Sequence, residues 1–215
     1  MKALAAVFAA LLAAPAFHAS SRPLDAGVRR EVVSSHHYYA KCPVPLSGLR
    51  VLTLRYWGFD RHVHTGQIVT NASAVKPLTA VFRRLFALRF PIRHMALTDE
   101  YGTAKQLPKD GDVTYSFSCR EAVASPCNGG KVTGTGSWSE HAYGEAVDLD
   151  PVENPYVGCG QTRDKTAVSF MNRSNVRRGM VTPAVIAAFR AVGWGWGGAW
   201  FGSTKDYMHF SANGH

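Results

Sequence analysis

The sequence predicts an α+β fold in which an antiparallel β-sheet carries a reactive site and helices flank it. Three observations lead there. Residues 49–57, Leu-Arg-Val-Leu-Thr-Leu-Arg-Tyr-Trp, are rich in apolar, β-branched and aromatic side chains and read as a strand. Residues 74–90 and 183–192 place apolar side chains at three-and-four spacing, the period of a helix with one buried face. Residues 146–150 alternate instead, Ala, Asp and Asp against Val and Leu, as a strand with one buried and one wetter face does.

Taken in order, the chain opens with Lys2, an apolar run and Ala14-Pro15-Ala16, the pattern of a secretory signal over residues 1–19, with cleavage after Ala16 or Ala19. That run is too short for an ordinary membrane span. The mature protein is therefore expected to be secreted, or extracytoplasmic in the cell envelope. Residues 20–45 are polar and interrupted by Pro23, Pro43 and Pro45, which reads as an irregular linker before one domain at 46–215. After the strand at 49–57, Gln67–Thr70 is a second short strand candidate. Ser73 is placed to cap a helix from Ala74 to Phe90, with Val75, Leu78, Phe82, Leu85 and Phe86 on one face and Pro77 in its first turn. Ile92 to Leu97 reads as a strand. Residues 98–136 read as a long surface loop with a short strand near Val113–Cys119, and residues 151–178 as a second loop-rich insertion. Thr182 as cap, Pro183 at the first position and Gly193 at the end frame the last helix. The aromatic, glycine-rich stretch 194–210 reads as a hairpin.

Composition bounds the function. Of 215 residues, 46% are hydrophobic and 18% charged, ample material for a core. The formal net charge is +9; without Lys2, 23 basic residues against 15 acidic leave +8. The basic residues are scattered, with only Arg29-Arg30, Arg83-Arg84 and Arg177-Arg178 as pairs, and no nucleic-acid motif accompanies them. Such a surface suits either simple solvation or anionic polymers of a cell envelope. Neither nucleic acid nor a membrane span is expected, and a monomer is. Four cysteines, Cys42, Cys119, Cys127 and Cys159, fit an oxidising compartment and disulfides. Three pairings are open; Cys42 with Cys119 and Cys127 with Cys159 is the preferred one.

The chemistry concentrates in Ser139-Glu140-His141-Ala142-Tyr143-Gly144-Glu145-Ala146-Val147-Asp148-Leu149-Asp150. Asp148 projects from the wetter face of the strand, and Gly144 lets the chain fold back so that His141 returns to the same place. An imidazole and a carboxylate held together are two of the three protein ligands of a catalytic zinc site. His209, in Asp206-Tyr207-Met208-His209-Phe210, is the candidate third. Asp206, three residues earlier, is placed to exchange protons with water at the metal. Glu140, Glu145 and Asp150 compete for that role; the first two read as solvated, and Asp150 as supporting or turn-forming. His62-x-His64 reads as polar surface, and His36-His37 as incidental. Trp194 and Trp196 read as core, with glycan stacking as the alternative for the tryptophans, Trp200 included.

Together the two motifs, SEHAYGEAVDLD and KDYMHF, resemble the zinc D-alanyl-D-alanine carboxypeptidase and L-alanyl-D-glutamate endopeptidase family. The matching positions are Ser139, His141, Gly144, Ala146, Asp148, Asp206 and His209. The resemblance extends from about Leu49 onward and implies a fold like those peptidases and the hedgehog proteins. It implies Zn2+ on His141, Asp148 and His209, with Asp206 as general base. Asp in place of Glu at 206 points toward the endopeptidase branch. The family also places an arginine upstream of the first histidine, and Arg120 is the candidate for holding the oxyanion, with a structural salt bridge as its other reading. Ser139 is the candidate substrate contact, with stabilisation of the turn as the alternative. The implied partner is the peptidoglycan stem peptide, with anionic wall polymers as a second. A zinc-containing wall-binding module without hydrolytic activity is the competing class, and retention of Asp206 argues against it.

Overall fold

The computed structural model describes residues 15–128 and 136–215. Most of the expected signal segment lies outside these residues. The first sheet joins β1 (Ala19–Pro23), β2 (Leu49–Gly58) and β3 (Val63–Asn71) in antiparallel order, and a short β4 (Pro91–Ile92) pairs parallel to the end of β2. Between β1 and β2 lies helix α1 (Ala26–Ser34); helix α2 (Val75–Ala87) follows β3, and α3 (Leu97–Tyr101) follows β4.

Alternation along β2 decides what covers each face. Leu49 and Val51 point one way, into a core with Val28 and Val32 of α1 and with Phe117. Leu52 and Leu54 point the other way, into the main core against Leu78, Phe82 and Leu85 of α2. Both faces of this sheet are thus buried.

The second half of the chain is built of small pieces. Helix α4 (Glu140–Tyr143) leads into β5 (Ala146–Asp148), followed by β6 (Tyr156–Gly158), β7 (Gln161–Thr162) and helix α5 (Pro183–Arg190). Strands β8 (Gly195–Trp196), β9 (Thr204–Asp206) and β10 (His209–Ser211) close the chain. They form two three-stranded antiparallel sheets, β5-β10-β8 and β7-β6-β9. Behind β10, Phe189 of α5 stacks on Phe210 with ring centroids 3.7 Å apart, and Val147 and Leu149 join the same core. The α+β class follows directly, and among the described residues no helix is long and apolar enough to cross a membrane.

Several local expectations give way. Over residues 20–45, read as an irregular linker, the structure has most of β1 and all of α1; the helix has only Val28 and Val32 buried, so its apolar signal is slight. Ser73 does not cap α2. Its hydroxyl is 2.5 Å from Glu145 Oε1, and Ala74 occupies the cap position without a side-chain bond. The strand read at Ile92–Leu97 stops at Ile92, and Leu97 opens α3. His37 is no incidental residue, since its ring lies 2.9 Å from Glu100 and packs edge-on against Tyr101. The hairpin read at 194–210 is divided, because β9 pairs with β6 while β8 and β10 pair with each other. The cysteines pair as Cys42–Cys119 and Cys127–Cys159.

Residues 112–118 run through the interior, and almost all of them are buried. Phe117 N donates to Val69 O, and Asp148 N to Tyr115 O, so the segment is stitched between β3 and β5. Its start is held by a charged knot. Arg93 donates to Asp112 Oδ2 at 2.7 Å and to Glu153 Oε1 at 2.6 Å, while its backbone N–H donates to Asp150 Oδ1 at 3.0 Å. Two carboxyls bind the guanidinium and a third the backbone of the same residue, and Asp150 Oδ2 and Glu153 Oε2 have no hydrogen-bond partner among the described residues. Burial first, then the neighbouring Asp112, pushes the Glu153 carboxyl up to about 7, with Arg93 opposing.

The folded state therefore keeps a proton on Glu153 up to about pH 7, whereas an unfolded chain releases it near about 4.3. Raising the pH through that window removes stability, because the folded state binds the extra proton. Glu153→Gln, which is neutral at every pH and can still accept from Arg93, is expected to flatten the fall in melting temperature between about pH 5 and pH 8. A variant with the wild-type slope would exclude this assignment.

Candidate active site

The site begins with a turn. Ser139 caps α4 by accepting the His141 N–H at 3.3 Å. Gly144 ends the helix in the left-handed region, at φ +66°, and the chain reverses into β5. A Cβ there would lie 2.7 Å from Asn71 N, so the turn can seat against the end of β3 only with glycine. It is seated firmly. Asn71 N and Thr70 Oγ1 both donate to Gly144 O, at 3.0 and 2.9 Å, and Asn71 Nδ2 donates to Tyr143 O at 2.9 Å.

Antiparallel pairing of β5 with β10 sets His209 directly opposite Asp148. The apolar residues Val147 and Phe210 face the core, which leaves the polar pair on the other side beside His141. His141 Nε2 lies 3.2 Å from Asp148 Oδ2 and 3.2 Å from His209 Nδ1; His209 Nδ1 lies 3.1 Å from Asp148 Oδ1. The three potential ligand atoms fall within 4.8 Å of one another, the one such group among the described residues. All three side chains are buried. His141 Nδ1 faces Ser116 O at 2.6 Å, so it carries the proton and Nε2 offers its lone pair.

Electrostatics at Asp148 and His141 agree with a ligand set. Burial would raise the Asp148 carboxyl, but His141 and His209 hold it well below the usual range, so it is a carboxylate. Burial lowers the His141 imidazole, which favours the neutral, ligating form. Burial also disfavours a charged His209, yet Asp148 outweighs it and raises that imidazole. Two imidazole nitrogens and one carboxylate are the donor set of catalytic zinc, which keeps a further position open.

Asp206 reaches the same place from β9. Burial first, then the charge of Asp148, pushes its carboxyl up to about 7 against His209 and Arg120. Its Oδ1 is buried without a hydrogen-bond partner among the described residues. Arg120 also lines this cleft, and its Nη2 donates to Tyr115 Oη at 3.1 Å, while the Tyr115 ring stacks on His141 at 4.8 Å. The cleft encloses about 630 Å³ and is walled by Trp138, Tyr156, Trp200 and Met208 among others.

The structure thus brings together His141, Asp148, His209, Asp206, Arg120 and Ser139, and it keeps other candidates away. Glu145 is engaged with Ser73, the Asp150 carboxylate accepts the Arg93 backbone N–H, and His62 and His64 gather on Asp60 at the surface. Glu140 departs from the solvated reading, for it is half-buried and lines the cleft. Trp194 is core; Trp196 packs against the core and donates to Tyr207 O. Sequence reasoning missed Tyr115, Trp138 and Tyr156, which carry no motif and become neighbours only through the fold.

Residues 133–212 match the D-alanyl-D-alanine carboxypeptidase family. The match covers a little over a third of the chain. The match takes in both motifs and every candidate ligand, and it supports a peptidase; it is shorter than the resemblance read from Leu49 onward, and Arg120 lies before it. No curated protein and no solved structure matches the chain.

Gly144→Ala is expected to destabilise the fold by ~1–3 kcal/mol through backbone strain and collision with β3. Denaturant midpoints at unchanged m-value measure this, and a neutral substitution would contradict the seating described.

Proposed function

We propose that the protein is an exported zinc peptidase that hydrolyses peptide bonds of peptidoglycan stem peptides. The observation that carries the reading is the convergence of His141, Asp148 and His209 in one cleft with Asp206, whose Oδ1 has no partner among the described residues, within the family-matched segment. His141 Nε2, the Asp148 carboxylate and His209 Nδ1 would hold the ion. Zinc there supplies Lewis acidity and makes water acidic enough to lose a proton near neutral pH.

The remaining work falls to the chain. The Asp206 carboxyl, poised near neutrality, takes the proton of the attacking water and returns it to the departing amine. Arg120 presents a guanidinium that stays charged and suits the oxyanion forming on the scissile carbonyl, while Tyr115 fixes its position. Ser139 holds α4, and with it His141, in place. The aromatic wall excludes water and offers apolar surface to a stem peptide. A binding module needs no proton acceptor in this position, which favours hydrolysis.

Digestion of defined muropeptides tests the reading. His209→Ala and chelator treatment are expected to abolish cleavage, and Asp206→Asn to lower kcat by roughly 10²–10⁴-fold. Undiminished cleavage by either variant would sink the assignment.

Export has its own test. Phe17 packs on Phe86 and lies under Arg83, and His18 O accepts the Arg55 N–H at 3.0 Å. Cleavage after Ala16 preserves these contacts, whereas cleavage after Ala19 discards them. N-terminal sequencing of the secreted protein is expected to begin at Phe17; a start at Ser20 would contradict it.

A further inference from the structure

His209 has two faces, and the choice between its ring nitrogens is contested. On one side Nδ1 lies 3.1 Å from Asp148 Oδ1, a carboxylate that would readily accept a proton from it. An Nδ1–H would leave no lone pair there for a metal. On the other side Nε2 lies 3.0 Å from the main-chain oxygen of His215. That oxygen only accepts, so it demands the proton on Nε2 and leaves the lone pair on Nδ1.

That oxygen is held by a built loop. Ser211 Oγ donates to the same oxygen at 2.8 Å, and Asn213 Oδ1 accepts the His215 N–H at 2.9 Å. Trp200 Nε1 donates to Gly214 O at 2.7 Å, with its ring 5.8 Å from that of His209. Ala212 N donates to Glu145 O at 2.9 Å, anchoring the loop to the start of β5. The arrangement mirrors that of His141, whose Nδ1 is turned by Ser116 O.

We propose that residues 213–215 form a positioning device that sets the His209 tautomer against the pull of Asp148, and so makes Nδ1 available as a ligand. The proposal rests on the zinc-site reading for its consequence, but not for its first readout. Neutral histidine tautomers are seen directly in 15N spectra, without metal or substrate. A protein that cleaves no muropeptide therefore still answers the question.

In the metal-free full chain above about pH 8, His209 is expected as the Nε2–H tautomer. A chain ending at Ala212 is expected to shift toward Nδ1–H and to lose about 10–100-fold in zinc affinity, measured by competition with a chelator. Cooperative thermal unfolding identifies a truncated chain that has folded. Trp200→Phe, which keeps a ring beside His209 but removes the bond to Gly214 O, is expected to shift both readouts the same way by less. An Nδ1–H tautomer in the wild type would overturn the proposal. So would a folded truncated chain with unchanged tautomer and affinity. If the truncated chain does not fold, an unchanged Trp200→Phe variant overturns it.

Discussion

The pairing of β5 with β10 is the constraint on which the site depends. It lays Asp148 and His209 opposite each other across one ladder rung, and it does so because Val147 and Phe210 must both face the core. A slip of one residue would turn the polar pair into the apolar interior and the apolar pair outward. Stacking of Phe210 on Phe189 and burial of Val147 and Leu149 therefore fix the register from behind. The apolar side of a three-residue strand thus controls the geometry of the polar side.

His141 needs a different kind of support, because it lies on a helix of a single turn. Its place is set by Ser139 at the start, by Gly144 at the end and by β3, whose Thr70 and Asn71 hold the turn. Segment 112–118 fills the gap between the two sheets and supplies Ser116 O to the ring. Once these parts meet, three ionisable groups are buried together and each acquires its protonation from the others. Asp148 becomes the fixed negative charge, and Asp206, deprived of solvent beside it, is pushed up to about 7. Two neighbouring carboxyls thus take opposite roles through environment alone.

Much of this was legible in the sequence for a physical reason. The Ser139–Asp150 stretch contains its own local geometry, namely a capped turn, a glycine reversal and an alternating strand, and Asp206–Phe210 contains the alternating entry into β10. Long, strongly periodic pieces such as β2 and α2 were legible for the same reason. What escaped was whatever depends on packing at a distance. Helix α1 has too few apolar positions to show a period, and the short strand read near Val113–Cys119 is extended chain with only isolated bridges at Val113 and Tyr115, because its backbone is satisfied by two sheets rather than by one regular partner. Tyr115, Trp138 and Tyr156 enter the cleft from chain segments with no common motif. The Arg93–Asp112–Glu153 knot could not be seen either, since a carboxylate in a loop gives no sign that it will be buried.

The central claim is that two imidazole nitrogens and one carboxylate, those of His141, His209 and Asp148, form a metal centre. X-ray absorption at the zinc edge tests it most directly. The zinc-loaded protein is expected to bind one equivalent in a shell of nitrogen and oxygen only, with two imidazoles resolved by their outer-ring scattering and one lost in His141→Ala. Sulfur in that shell, or two imidazoles retained in the variant, would contradict it.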